Sequence, residues 1–379
     1  MEVQRSMKKL TPAVLCFLQL FVAAISLISL PAPSALAAFR TPQYQSQPVE
    51  VIDIHQHVGD AERMGPLGKK FVLETLPKWL PEGLKNWSLS TYAQLLLQPF
   101  TPVLGVRQSC LDAGLSLCGL MAVYAPLTWG TYDNESIIKI LDDHRNRGPN
   151  GELSYFFGMA SLNPENFPSG AKQELSNLRK ALAHPWMKGI KLAFVHNELP
   201  LDDQQFEGIY AIAREFKVPV YHHIGTSPIR KMKDFDTDQQ RKNYLRAADP
   251  TGLSWAIERY PDVPFVLGHM GFDFNKEGFD FSEDVYSLAA KYPNVYLEIS
   301  AFGLAMYDSD GKFLDSALKR LKTMGLLNRV IFGSDASGLP GSTEQYVKLT
   351  LKSMERAGYT IEDVRAVMAE NARRIYHLP

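Results

Sequence analysis

Short, continuously apolar runs alternate along this chain with segments that carry the 3.6-residue spacing of amphipathic helices. Eight of the runs are predicted to be β-strands, at residues 49–55, 117–124, 155–160, 189–193, 218–223, 264–269, 295–299 and 329–333. Helices are predicted from the apolar spacing at residues 133–147, 169–183, 203–216, 252–260, 282–291, 313–324, 342–357 and 361–376. Runs without polar alternation are typical of strands that are covered on both faces.

This order of strands and helices predicts an α/β fold, a single (β/α)8 TIM barrel over residues 49–379. An open doubly wound sheet is the alternative, but no G-x-G-x-x-G motif opens any of the helices. Residues 59–102 separate the first strand from the rest of the barrel and contain several Pro and Gly. We predict that they form a long β1–α1 lid insertion with short helices, because connections of this length are usually functional.

The N-terminus has the organisation of a secretory signal peptide. Basic residues precede an apolar run at residues 13–30, and Ala35-Leu36-Ala37 follows it. This pattern predicts cleavage after Ala37, an extended arm over residues 38–48, and a periplasmic or secreted protein without stable membrane association. An uncleaved membrane anchor is the alternative, because the apolar run is long for a signal peptide.

Composition narrows the class of partner. The formal net charge is −1 over 379 residues, which gives no electrostatic reason to expect nucleic-acid binding. We expect a small-molecule substrate, and a homo-oligomer is compatible with the sequence. Cys110 and Cys118 remain after cleavage, and two cysteines do not predict a disulfide framework.

The candidate chemistry lies at the predicted carboxyl ends of the strands, where barrel enzymes carry their active sites. Those ends hold Lys191, Asp335 and five of the nine histidines, namely His55, His57, His222, His223 and His269. His55 and His57 are two residues apart, so their rings point the same way on a strand. Imidazole is the commonest metal ligand among side chains, which makes this edge a candidate metal site.

Four motifs on this edge resemble one known family. They are D-x-H-x-H at residues 53–57, a histidine after the fifth strand, H-x-G at 269–271 and G-S-D at 333–335. Together they resemble the amidohydrolase superfamily, and most closely its amidohydrolase-2 branch of metal-dependent hydrolases, lactonases and aromatic-acid decarboxylases. The resemblance covers about residues 49–378.

The resemblance implies one divalent metal ion, with Zn2+ preferred over Mn2+, held by His55, His57, His223 and Asp335. His269 would then be the acid/base and carbonyl-polarising group. The residue types agree with these roles, because neutral imidazoles and a carboxylate suit such an ion. Asp335 can take the proton of a water, and His269 can protonate a leaving group or hold an oxyanion.

Three other positions have less settled roles. Lys191 is predicted to be an ammonium that pairs with Asp335 or with a substrate carboxylate. In some superfamily members a lysine at this strand end is carbamylated and bridges two metals. His222 points away from His223 along a strand and is predicted to pack outside the site. Asp53 is predicted to be structural or to support the ligands.

The loop predicted after the fifth strand, at residues 229–246, is rich in both basic and acidic residues. We predict a solvated surface there, with one arginine as a candidate contact for an anionic substrate.

These observations predict a metal-dependent hydrolase of a small ester, lactone or amide. The alternatives are a non-oxidative decarboxylase of an aromatic or unsaturated acid, and a catalytically silent barrel that binds a ligand. The complete ligand set disfavours the silent barrel, because a binding module does not need all of these groups.

Overall fold

The chain folds into a parallel barrel whose strands follow one another in chain order. The computed structural model describes residues 41–148, 154–302, 307–308, 311–336 and 340–379, so the predicted signal peptide lies outside the described residues. The barrel strands, β1 to β8 in chain order, are Ile52–Gln56, Leu117–Met121, Phe156–Ala160, Met187–Leu192, Val220–His223, Phe265–Gly268, Val295–Ile299 and Val330–Phe332. Every paired neighbour is parallel. The backbone amide of Asp335 donates to the carbonyl of His55 at 3.0 Å and joins the end of β8 to β1.

Helices surround the strands and confirm the predicted (β/α)8 barrel. The α-helices of the described residues are Pro66–Thr75, Glu82–Leu95, Val106–Asp112, Asn134–Asp142, Phe167–Leu182, Glu207–Phe216, Asp238–Ala248, Ser254–Arg259, Ser282–Lys291, Lys312–Thr323, Ser342–Arg356, Ile361–Arg365 and Asn371–Tyr376. One apolar cluster fills the layer between strands and helices. A second lies inside the barrel, where Tyr376 of the last helix packs on Phe157, with ring centroids 5.8 Å apart.

The long β1–α1 insertion contains two helices, Pro66–Thr75 and Glu82–Leu95. Tyr92 lies close enough to Asp335 for that carboxylate, after burial, to raise the pKa of the phenol further. The insertion therefore covers the barrel end that carries the candidate site, and its function as a lid stays a prediction. Within the described residues, no helix combines the length and apolar character needed to cross a bilayer.

Three local predictions were wrong. The arm is not extended over its described part, because Gln43–Tyr44 pairs antiparallel with Gln47–Pro48 and Tyr44 is buried. The predicted second strand is shorter, since Val123–Ala125 leaves the barrel and pairs with Gly130–Tyr132. The predicted loop at 229–246 contains most of the helix Asp238–Ala248. Propensity did not reveal these elements because local hydrogen bonding and tertiary packing stabilise them.

Cys110, in the helix Val106–Asp112, and Cys118, in β2, are free thiols in the apolar layer between strands and helices. Burial raises the pKa of both.

Candidate metal centre and active site

The strand ends gather the predicted site residues at one end of the barrel. His55 lies within β1, Lys191 within β4 and His223 at the end of β5. His269 directly follows β6, and Asp335 follows β8. Parallel strands bring all their carboxyl ends to the same edge, so residues far apart in sequence become neighbours.

A β-bulge sets the direction of the first ligand. Asp53 pairs with Cys118 and Gln56 with Leu120, so β1 has one more residue than β2 over this stretch. Bulges free an amide from the ladder and re-aim side chains. The carboxylate of Asp53 accepts the amide of His55 at 2.9 Å, and also the amide of Ser334 at 3.0 Å. Asp53 thus ties the ends of β1 and β8 together.

His55, His57 and Asp335 form the centre of the site. The Nε2 atoms of His55 and His57 are 3.1 Å apart. Oδ1 of Asp335 lies 3.6 Å from Nε2 of His55 and 3.4 Å from Nε2 of His57. Two nitrogens bound to one tetrahedral Zn2+ through bonds of about 2.05 Å would be about 3.3 Å apart. The separations therefore fit a shared divalent ion, which these three residues would hold.

His223 stands beside this group without completing it. Its Nε2 lies 3.4 Å from the carbonyl oxygen of Thr226, and its ring centroid is 4.3 Å from that of His269. Among the described residues, its ligand atoms do not join the cluster of His55, His57 and Asp335. Donation from Nε2 to the carbonyl leaves a lone pair on Nδ1. Ligation by His223 stays a prediction, with Nδ1 as the available atom.

His269 is buried between His55 and His223. Its ring centroid is 5.2 Å from that of His55, and its Nδ1 lies 2.8 Å from the hydroxyl of Ser300. The backbone of His269 has φ of 59°. Left-handed conformations of non-glycine residues are costly and are concentrated at functional sites. Ala301 and Asp335, at the ends of the next two strands, also have positive φ.

Lys191 places a buried cation in the site. Its side chain is 2 % exposed, and Nζ lies 3.9 Å from the centroid of the Tyr221 ring. No carboxylate of the described residues lies within ion-pair distance of Nζ, so the predicted direct pair with Asp335 is not formed. Burial lowers the pKa of this amine, while the nearby charges of Asp335 and Glu298 raise it.

His222 lies on the outer side of the barrel wall. Its Nε2 is 3.4 Å from the hydroxyl of Tyr210, and its ring stacks over Phe265 with a centroid distance of 6.4 Å. It has no contact that would bring it to the metal group.

The structure adds two site residues that the sequence reasoning missed. Glu298, at the end of β7, is fully buried and lies 3.0 Å from Nδ1 of His55. His196, beyond β4, is buried with its ring centroid 5.1 Å from that of His223. The signal for Glu298 was a carboxylate inside the apolar run 295–299, since buried carboxylates are rare unless bonded. His196 follows its strand by several residues and had no such signal.

The charged loop after β5 is less solvated than predicted. Arg230 is 5 % exposed, forms an ion pair with Glu198, and lies over the ring of Phe235 at 4.2 Å. The hydroxyl of Tyr244, in the helix Asp238–Ala248, donates to the carbonyl of Arg230 at 3.4 Å, so this helix packs against the segment.

The protonation states suit metal binding. Burial, followed by the charge of Lys191, lowers the pKa of His55 and of His269. Both imidazoles are therefore neutral, as metal ligation and proton acceptance require. Burial raises the pKa of Asp335, and a bound cation would lower it again.

Comparison with known proteins identifies the family. The profile described as Amidohydrolase (Amidohydro_2) matches residues 155–378, more than half of the chain. The chain belongs to the amidohydrolase family. This confirms the resemblance carried by the strand-end motifs, three of which lie at or beyond β5.

Several proteins are similar to this amidohydrolase. Protein fluG of Emericella nidulans is 26% identical over 148 residues, which cover 35% of this chain and 16% of fluG. A 5-carboxyvanillate decarboxylase from Novosphingobium aromaticivorans, complexed with manganese, is 17% identical with a TM-score of 0.54. The match covers 91% of this chain and 100% of the decarboxylase chain. A probable 2-pyrone-4,6-dicarboxylic acid hydrolase from Acinetobacter baumannii is 14% identical with a TM-score of 0.53. The match covers 87% of this chain and 100% of the hydrolase chain. The chain spans under a fifth of fluG, and the structures share its fold.

Family membership indicates an enzyme, and the donor groups of the site could hold a divalent metal ion. The donor set accommodates a divalent ion, and imidazole with carboxylate suits Zn2+ and Mn2+.

Proposed function

We propose that this amidohydrolase is an exported, metal-dependent hydrolase of a small ester, lactone or amide that carries a carboxylate. The arrangement of Asp335 supports this most directly. Its carboxylate faces the two Nε2 atoms of His55 and His57 and has no other hydrogen-bond or ion-pair partner among the described side chains. A carboxylate in that position is available as a base.

A divalent ion held by His55, His57 and Asp335 would polarise a substrate carbonyl and lower the pKa of a water. Asp335 is placed to take the proton of the attacking water. His269 is placed to relay that proton to the leaving group, because the ring nitrogen that Ser300 does not occupy can first accept it from Asp335 and then donate it. The water oxygen adds to the carbonyl carbon, and the bond to the leaving oxygen or nitrogen breaks.

Lys191 supports the choice of an anionic substrate. A buried ammonium without an anionic partner is unfavourable, so a substrate carboxylate that reaches Nζ gains a charge-assisted hydrogen bond. The same contact would keep Lys191 protonated during turnover.

Decarboxylation is the second candidate, and the same lysine favours it. The ammonium of Lys191 would clamp the carboxylate that leaves as CO2, and His269, once it has taken a proton from water, would donate it to the carbanion that remains. Decarboxylases of aromatic acids share the fold of this chain.

Isotope labelling distinguishes the two reactions. Metal-loaded enzyme is incubated in 18O water with a panel of lactones, esters, amides and aromatic acids. Hydrolysis predicts one 18O atom in the product carboxylate. Stoichiometric CO2 release without label in the remaining product would establish the decarboxylase instead. His144→Ala is the matched control, because His144 is exposed and its side chain contacts Asp143 rather than a residue of the site. Metal binding with no turnover of any substrate would favour the silent barrel.

A further inference from the structure

Glu298 is a buried carboxylate that the proposed mechanism does not use. It is fully buried, at the end of β7. Four donors surround its two oxygens: Nδ1 of His55 at 3.0 Å, the hydroxyl of Tyr221 at 3.1 Å, the hydroxyl of Ser300 at 2.7 Å and the backbone amide of His269 at 3.2 Å. Three of these donors contact Oε2 and one contacts Oε1, so both oxygens are hydrogen-bonded.

The contact with His55 fixes the tautomer of that ring. Burial raises the pKa of Glu298, whereas its hydrogen bonds and the charge of Lys191 lower it and favour the ionised form. An ionised carboxylate only accepts, so Nδ1 of His55 carries the proton that bonds to Oε1 of Glu298. The hydroxyl of Tyr221, 3.0 Å from the same Nδ1, then donates to Oε2 of Glu298. The lone pair of the neutral ring is then on Nε2. That is the nitrogen which faces His57 and Asp335. Carboxylates behind a ligating histidine commonly orient it in this way.

Ser300 extends the same control to His269. Its hydroxyl donates its single proton to Oε2 of Glu298, so it can only accept from Nδ1 of His269. The neutral ring of His269 therefore also carries its lone pair on Nε2. One carboxylate thus determines which nitrogen is free on both histidines.

Two glycines make room for this network. A Cβ atom at residue 333 would lie 1.9 Å from Oε1 of Glu298 and 2.9 Å from Cβ of His55. A Cβ atom at residue 268 would lie 1.9 Å from the hydroxyl of Tyr221. Gly268 is the last residue of β6, and Gly333 immediately follows β8. The backbone on either side of β7 is therefore shaped around the carboxylate of Glu298.

Metal ligation by Glu298 is a competing explanation, because ligand atoms of His55, His269 and Glu298 also lie within 4.8 Å of one another. The four donors argue against it. Three of them contact Oε2 and the fourth, Nδ1 of His55, contacts Oε1, so a cation could reach only the remaining lone pair of Oε1.

We propose that Glu298 is a positioning residue that fixes the Nδ1–H tautomers of His55 and His269, so that both rings present Nε2 to the reaction centre. The inference rests on the proposed function only for the roles that the two rings then play.

Histidine tautomers can be read by NMR without turnover. The mature chain is labelled with 15N-histidine, and proton–nitrogen correlations of the rings are recorded before and after chelation of the metal. We expect the Nδ1–H form for His55 and His269 in wild type. Glu298→Gln should shift both rings toward Nε2–H, lower metal affinity about 10- to 100-fold, and leave His222 unchanged. Glu298→Asp should restore part of the affinity.

Ser300→Ala separates positioning from folding. It keeps the contact between Glu298 and His55, so only the tautomer of His269 should change. Unchanged tautomers of His55 and His269 in the metal-free Glu298→Gln protein would overturn the proposal. If that variant does not fold, an unchanged tautomer of His269 in Ser300→Ala would overturn it instead. A wild type that shows the expected tautomers but catalyses no hydrolysis would refute the proposed function and leave this inference intact.

Discussion

The backbone amide of Asp335 donates a hydrogen bond to the carbonyl of His55 at 3.0 Å. This contact joins the end of the last strand to the first, and both residues also supply side chains to the candidate metal group. The closure of the barrel and the assembly of the site therefore depend on the same few atoms. Substitutions of these side chains can test the chemistry while the backbone contact is retained.

Metal content should follow the three central ligands. Purified wild type is expected to bind about one divalent ion per chain. His55→Ala or Asp335→Ala should weaken binding by more than about 100-fold, because even residues behind the ligands cost about 10- to 100-fold. Elemental analysis after dialysis measures this, with His144→Ala as the control. Full activity of metal-free wild type would refute the mechanism.

Lys191→Met should impair substrate binding and leave the metal in place. Loss of one partner of a buried charge pair costs about 2–5 kcal/mol, so KM for a carboxylate-bearing substrate should rise at least about 30-fold. Steady-state kinetics and elemental analysis measure the two effects. Lys188→Met on the same strand is the control, because Lys188 lies over Trp186 instead, 5.6 Å from the ring centroid. Two metals in wild type, both lost in Lys191→Met, would instead indicate a carbamylated lysine.

Gly333→Ala should destabilise the protein, because its Cβ would lie 1.9 Å from Oε1 of Glu298. Overpacking of this kind costs about 1–3 kcal/mol in the free energy of unfolding. Gly83→Ala is the matched control. It has no atom within 4 Å of the added Cβ and lies in a helix, so it should be neutral or stabilise by up to about 1 kcal/mol. Urea denaturation compares them, and equal midpoints would contradict the packing described for the Glu298 network.

The ion pair between Glu50 and Arg373 should make stability depend on pH. Burial raises the pKa of Glu50, but hydrogen bonds from Arg373 and Ser116 and the charge of Arg373 outweigh it and lower the pKa overall. Because the pKa is lower in the folded state, the ionised carboxylate stabilises the folded protein at pH values above the unfolded-state pKa of about 4.3. This stabilisation is lost as the pH falls through the folded-state pKa. Arg373→Met should therefore cost up to about 1 kcal/mol at pH 7, and its deficit should shrink below about pH 4.

Denaturation of both proteins at several pH values measures this difference. Arg179→Met is the control, because Arg179 forms its pair with Glu215 at the exposed surface. A deficit that stays constant down to the acid transition would show that Arg373 stabilises by packing alone.

The export signal predicts a mature N-terminus at Ala38. Mass measurement of protein isolated from the native host would test the cleavage site. Intact Met1 in a membrane fraction would favour the uncleaved anchor.

The hydrophobic pattern alone was enough to predict the barrel. Continuous apolar runs separated by amphipathic segments have few other ways to bury their surface. Once the barrel is predicted, parallel strands bring His55, Lys191, His223, His269 and Asp335 to one edge, and no distance needs to be known. The motifs at those strand ends were also sufficient to recognise the amidohydrolase family.

Tertiary structure decided what surrounds these residues. The bulge in β1, the four donors around Glu298 and the burial of Arg230 all depend on contacts between segments far apart in sequence. Alternation along a strand predicts which side a residue faces, but a bulge changes that side within one residue. Likewise, the carboxylate of Glu298 in an apolar strand is stable only because folding delivers its donors, three of which come from other strand ends.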